Sequence, residues 1–234
     1  MENIKNGILW IFNYILDIIA PTPCVGCKKR GEIICDNCIS TLRQAERETE
    51  SNILACFDYR DEIMKNVIWN LKYHHRWSIA RKLGKLLYEN MIEEIAELEI
   101  YTQGSPIVVI PVPISKSKNK MRGYNQAEKI ARSFCNSSPR KIFELRNNIV
   151  IKIKDTLPQA KIANRNKRLK NVQGVFIINE KYNPNSKEQT RKSLKGRTVI
   201  VIDDVTTTGG TITEIIKILK KNGVKKVIGL AVAH

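Results

Sequence analysis

From Ile53 onward the chain switches repeatedly between short continuous apolar runs and apolar residues spaced three or four apart. Ile53-Leu-Ala-Cys-Phe-Asp-Tyr59 reads as a strand, and Ile63, Val67, Ile68 and Leu71 fall on one helical face. Ile79, Leu83, Leu86, Leu87 and Met91 predict a longer amphipathic helix. Ile107-Val-Val-Ile110, ended by Pro111-Val-Pro113, has the pattern of a strand covered on both faces of a parallel sheet. Asn125-Gln-Ala-Glu128 has the form of a capping box, with Ala127, Ile130, Ala131 and Phe134 as the buried stripe behind it. Val199-Ile-Val-Ile202 predicts a second buried strand, and Ile212, Ile215, Ile216 and Leu219 a helix stopped by Asn222-Gly223. Val227 to Val232 supplies a last strand. Strands alternating with helices predict an α/β domain with a mostly parallel sheet flanked by helices. Lys181 to Arg197 is polar and reads as an exposed connection or hairpin.

Before this pattern begins, the longest apolar run is Ile8 to Ala20, interrupted by Asn13 and Asp17. A membrane span needs about 18 apolar residues, so no transmembrane helix is expected. The run also lacks a strongly basic leader and an Ala-x-Ala site, which argues against a signal peptide. The expected location is cytoplasmic. Residues 1–20 are read as an amphipathic helix that packs on its own domain or docks peripherally on the inner face of the cytoplasmic membrane or on a partner.

Composition changes the picture mainly through charge. The 234 residues include 40 Lys and Arg against 23 Asp and Glu, a formal net charge of +17. With 42% apolar residues the chain can bury a core, so a disordered or coiled-coil protein is excluded. The positive excess points to anionic partners: nucleic acid, a phosphorylated small molecule or a membrane face. An AT-rich coding sequence, which enriches Lys, Ile and Asn together, offers a second explanation of it.

Four of the six cysteines form two hooks, Cys24-Val-Gly-Cys27 and Cys35-Asp-Asn-Cys38, within residues 21–45. Two Cys-x-x-Cys hooks supply the four sulfurs of a tetrahedral zinc site, structural because no coordination position is left open. Gly26 suits the tight turn that a hook requires. Two disulfides or an iron–sulfur cluster are the alternatives, and a cytoplasmic location disfavours the disulfides. Cys56 and Cys135 stand alone in apolar settings and are expected in the core.

The chemistry concentrates in Val199-Ile-Val-Ile-Asp-Asp-Val-Thr-Thr-Thr-Gly-Gly-Thr211. A buried strand delivers Asp203 and Asp204 at its C-terminal end, where open α/β sheets bind ligands. The loop amides, the Thr hydroxyls and the following helix N-terminus form an anion site. Adjacent carboxylates suit a vicinal diol, so a phosphate and a ribose are implied side by side. No Lys follows the glycines and no G-x-G-x-x-G is present, so neither a nucleoside triphosphatase nor a dinucleotide site is supported.

This segment resembles the 5-phosphoribosyl-1-pyrophosphate signature of type I phosphoribosyltransferases. The resemblance implies the fold of that family over residues 50–234. It assigns the ribose diol to Asp203 and Asp204, and the 5′-phosphate to Thr206, Thr207, Thr208, Gly209, Gly210 and Thr211. Pro111-Val-Pro113 is similar to the pyrophosphate loop of the amidophosphoribosyltransferase branch. Further motifs are Leu71-Lys-Tyr73, Arg122-Gly-Tyr-Asn-Gln126, Gln159, Arg165, Arg168 and Asn171-Val-Gln-Gly174. With the cysteine hooks and the apolar N-terminal segment, the set resembles the ComF competence proteins (ComFC type) over nearly the whole chain. His74-His75 departs from the Gly-containing turn frequent in that family and is read as loop.

That resemblance implies a role in natural transformation, handling imported single-stranded DNA on the cytoplasmic side together with other competence proteins. The phosphoribosyl pyrophosphate would carry Mg²⁺ on its pyrophosphate. Two other functions remain open: a working phosphoribosyltransferase in nucleotide metabolism or salvage, with an unidentified acceptor, and a regulatory binder without turnover. Lys72, Pro113, Arg122, Arg165 and Arg168 are the pyrophosphate candidates, Lys72 having a solvated helix end as its alternative. Lys161 to Lys170 carries five cations and corresponds to the mobile loop of the family, or to an exposed basic helix face. A track for a polynucleotide backbone would form if this stretch, Lys116 to Arg122 and Lys187 to Arg197 shared one face. Tyr73 and Tyr124 are the candidates for base stacking, since aromatic residues are few (three Trp, seven Tyr and five Phe).

Overall fold

The computed structural model describes residues 23–46, 52–74, 76–155, 172–180 and 194–234. The 1–20 segment, the 161–170 stretch and most of the 181–197 connection lie outside the described residues. Strands β1 (Ile53–Phe57), β2 (Ile107–Pro111), β3 (Phe143–Leu145), β6 (Thr198–Val205) and β7 (Lys226–Ala233) form one sheet in the order β1-β7-β6-β2-β3. Every neighbouring pair is parallel. A separate antiparallel hairpin joins β4 (Val150–Lys152) to β5 (Phe176–Ile178). The helices are α1 (Asp36–Ser40), α2 (Glu62–Tyr73), α3 (Trp77–Asn90), α4 (Ile92–Thr102), α5 (Lys116–Arg122), α6 (Gln126–Ser137) and α7 (Gly210–Lys221).

Both faces of the sheet are covered, which is why β2 is buried at all five positions. Side chains alternate between two apolar layers. Ile107 and Val109 of β2, with Ile200 and Ile202 of β6, join the layer formed by α2, α3, α4 and α6. Val108, Ile110, Val199 and Val201 face α7 and the hairpin. Ile33, Ile34 and Leu42 of the cysteine segment pack into the first layer. The same segment meets the end of β1 through the Ala45 amide on the Cys56 carbonyl and the Asp58 amide on the Arg43 carbonyl. Cys56 is buried and Cys135 half-buried, and burial pushes both thiols up to about 12.

Some elements differ from the periodicity. The helix over Ile79 to Met91 ends at Asn90, and α4, which the pattern missed, follows at once. Strands β3, β4 and β5 are three residues each, too short to show a period. The capping box is half formed: the Asn125 side chain accepts from the Ala127 amide at 3.1 Å. Glu128 instead accepts from Asn147 Nδ2 and from Arg132. Among the described residues no helix is long and apolar enough to cross a membrane.

Helices α3 and α6 cross so closely that a Cβ at Gly84 would lie 2.5 Å from the Ile130 carbonyl oxygen. A helical Gly→Ala change ordinarily stabilises by about 1 kcal/mol. Here the obstacle is backbone, so Gly84→Ala is expected to destabilise by about 1–3 kcal/mol. The denaturant midpoint of the purified variant gives the sign directly.

Candidate ligand cleft and cysteine cluster

After β2 the chain moves outward to β3, and after β6 it moves the other way to β7, so the two central neighbours diverge at their C-terminal ends. In parallel α/β sheets this divergence opens a crevice. A cleft of about 360 Å³ lies there. Its walls include Asp203, Asp204, Thr206, Thr207, Gly210 and Thr211 from β6 and the loop into α7. Pro113 from the loop after β2, Lys72 from α2 and Arg122 from α5 face the same space. Thr208 and Gly209 of the same loop are not part of this lining.

Local hydrogen bonds hold the acidic pair. The Asp204 amide donates to Asp203 Oδ1 at 2.9 Å, and the Val205 amide donates to Asp204 Oδ1 at 2.8 Å. The Thr206 amide donates to the Ala233 carbonyl, anchoring the loop to β7. Gly209, at φ +70°, caps α7 and has no side chain with which to bond that helix N-terminus. Among the described residues Thr208 Oγ1 is buried with no hydrogen-bond partner, a vacant donor in the loop expected to hold a phosphate. Arg122 Nε is buried and unpartnered as well, while its guanidinium lies 5.2 Å from the centre of the Tyr73 ring.

Four cations, Lys72, Lys118, Arg122 and Lys152, line the cleft against the two carboxylates. Lys72 Nζ is 3.0 Å from Asp204 Oδ2, so the cation expected at a pyrophosphate serves here as counter-ion to the acidic pair. Burial acts to lower the Lys72 pKa, but the Asp204 carboxylate outweighs it and raises the ammonium above its ordinary value. Desolvation, then repulsion from Asp204, holds the Asp203 carboxyl well above the usual carboxylate range.

Of the other expected residues, Arg165 and Arg168 lie outside the described residues, as do Gln159 and His75. His74 is the exposed C-cap of α2, in keeping with a loop reading. Tyr124 is buried: its hydroxyl donates to the Leu71 carbonyl and its ring stacks on Trp77, so it is a packing residue. Arg197 bonds to Glu144 and the Pro106 carbonyl just before β6. It is therefore about 20 Å from the acidic end of that strand, at about 3.3 Å per residue. That part of the third basic tract does not share the cleft with α5. Trp69, Gln126 and Lys152 line the cleft and were not among the candidate site residues. For Trp69 the available signal was a large aromatic outside the apolar stripe Val67, Ile68 and Leu71.

The ligand atoms of Cys24, Cys27, Cys35 and Cys38 all lie within 4.8 Å of one another. Cys24 and Cys35 sulfurs are 3.8 Å apart, and Cys27 and Cys35 sulfurs 3.6 Å. A thiolate tetrahedron with metal–sulfur bonds of about 2.3 Å has edges of about 3.8 Å. The donor set thus fits a metal ion. Burial opposes ionisation of Cys24, yet backbone N–H groups, that of Cys35 foremost, bring its thiol down to about 6. Burial and the three neighbouring thiols push Cys38 up to about 12. A Cβ at Gly26 would lie 2.7 Å from Cys38 Sγ, so the first hook admits no side chain there.

If Lys72 is what balances the acidic pair, Lys72→Met leaves two adjacent carboxylates without their cation. The Asp203 titration, followed by carboxyl-carbon NMR, is then expected to move to still higher pH. An unmoved midpoint would contradict the counter-ion role.

Residues 88–234 match the phosphoribosyl transferase domain family. Competence protein F of Haemophilus influenzae is 28% identical over 214 residues, covering 87% of this chain and 86% of that protein. DNA utilization protein YhgH of Escherichia coli K12 is 25% identical over 158 residues, covering 67% of this chain. This chain spans 61% of the YhgH length. Among solved structures, hypoxanthine phosphoribosyltransferase of Trypanosoma cruzi is 12% identical, covering 66% of this chain and 63% of that one at a TM-score of 0.38. With most of its length matched and a parallel sheet flanked by helices, the chain belongs to the phosphoribosyl transferase domain family.

Proposed function

We propose that this protein binds 5-phosphoribosyl-1-pyrophosphate in the cleft above β2 and β6 and acts in the handling of imported single-stranded DNA. The observation that carries the ligand is the convergence of the acidic pair, the threonine loop and four cations on one cleft. In this reading Asp203 and Asp204 accept hydrogen bonds from the ribose diol. Residues Thr206 to Thr211 hold the 5′-phosphate, with Thr208 Oγ1 supplying a donor that has no partner among the described residues. Arg122 meets the pyrophosphate, and Lys72 turns to it from Asp204 when the ligand enters. Asp203 and Asp204 would offer hard oxygen ligands to Mg²⁺ bound with the pyrophosphate, which would neutralise its charge. The DNA role rests on the likeness to Competence protein F, which extends over 87% of the chain.

The cysteine cluster holds structural Zn²⁺ in this reading, since four sulfurs leave no site for a substrate. Zinc would tie the segment carrying Ile33, Ile34 and Leu42 to the core those residues enter. Residues 21–45 then form a zinc knuckle continuous with the 50–234 domain.

Calorimetric titration of the zinc-loaded protein with phosphoribosyl pyrophosphate and Mg²⁺ tests the cleft. Binding is expected in the wild type and its loss in the Asp203→Asn, Asp204→Asn double variant; equal affinity in both would refute the diol assignment. Cys24→Ser is expected to lose zinc and lower the melting temperature. One zinc per chain, unchanged in that variant by elemental analysis, would defeat the four-thiolate site.

A further inference from the structure

Helix α2 contributes Lys72 to the cleft, and beside it displays two large rings to solvent. Trp69 is 53% exposed and Tyr73 51% exposed, and neither belongs to the apolar core. Their ring centres are 5.8 Å apart, and the His74 imidazole lies 4.6 Å from Trp69. Arg122 stands over Tyr73 at 5.2 Å. Packing does not account for such exposure, and the contrast with Trp77 and Tyr124, stacked on each other 5.6 Å apart with Tyr124 buried, makes this plain.

We infer that Trp69 and Tyr73 form a stacking platform for the bases of a single-stranded nucleic acid, opening into the same cleft as the acidic pair. Exposed rings accept any unpaired base by its face, whereas the bases of a duplex present no free face to them. Charge complements the rings. Helix α5, which carries Arg122, has the sequence Lys-Ser-Lys-Asn-Lys-Met-Arg and no acidic residue, so it offers cations to a sugar–phosphate backbone beside the platform. Gln126 is 2% exposed and lines the cleft with a buried Nε2 that has no partner among the described residues, a donor for a base carbonyl or a phosphate oxygen. The inference rests on the reading of this protein as a handler of single-stranded DNA and locates the contact. Because Trp69, Lys72 and Tyr73 share one turn of α2, strand binding and phosphoribosyl pyrophosphate binding are coupled, and by linkage each must alter the other's affinity equally.

The test uses the full zinc-loaded chain and a fluorescein-labelled oligothymidylate, read by anisotropy at two salt concentrations with and without phosphoribosyl pyrophosphate and Mg²⁺. The Trp69→Ala, Tyr73→Ala double variant is expected to bind the oligonucleotide about tenfold more weakly or worse, with the salt dependence retained. Trp69→Phe, which keeps a ring, is expected to bind within a few-fold of the wild type. Measured without DNA, the double variant should lose far less phosphoribosyl pyrophosphate affinity than the Asp203→Asn, Asp204→Asn variant, which separates the two tests. Unaltered oligonucleotide affinity in the double variant, equal affinity for a duplex of the same length, or no binding by the wild type would each overturn the platform. Strand affinity indifferent to saturating phosphoribosyl pyrophosphate would overturn the coupling.

Discussion

Two carboxylates on consecutive residues of a buried strand repel each other and lose their hydration, and the architecture around the cleft answers that problem. Asp203 and Asp204 lie at the end of β6, where the sheet provides backbone N–H groups but little water. Each carboxylate takes one amide from the residue that follows it, and Lys72 brings a cation to Asp204 from a helix 132 positions earlier. Asp203 still stands above the ordinary carboxylate range. A pair held in this state gains from any ligand that donates hydrogen bonds to it or brings a divalent cation. The same burden on an ordinary strand-to-loop turn would serve no purpose.

The cleft depends in turn on the covering of both sheet faces. Because β2 and β6 are apolar on both sides, their polar ends face the cleft only beyond the last pair between them, Pro111 with Ile202, and divergence to β3 and β7 opens space there. Helix α6 packs closely against α3 where Gly84 meets Ile130, and its N-terminal end lies at the cleft. There Asn125 Nδ2 donates to the Val112 carbonyl at 3.0 Å, and Gln126 is part of the wall. The cysteine segment is tied to the first apolar layer by Ile33, Ile34 and Leu42 and is linked to α3 through Lys82, which meets both Glu32 and Asp36.

Features that depend on neighbours in sequence were legible without coordinates. The two cysteine hooks, the acidic pair followed by threonines and glycines, and the apolar runs of β2 and β6 each act through residues a few positions apart. The short strands β3, β4 and β5 escaped notice because three residues carry no period, and the hairpin closes across a long separation. Helix α4 escaped because only Ile95 and Leu98 of its eleven residues are buried.

What only the tertiary structure decided is which distant side chains share the cleft. Sequence identified Lys72 as a cation of interest, but its partner is a carboxylate on another element, and no local rule connects positions 72 and 204. Tyr73 and Tyr124 looked equivalent as stacking residues until packing buried one and exposed the other beside Trp69. Composition predicted an anionic partner from a charge of +17, yet the arrangement of strands sends Arg197 to the far end of β6 and leaves α5 at the cleft. The sign of the charge is a sum over residues and is readable from sequence; its direction in space depends on parallel strand order, which long-range burial sets.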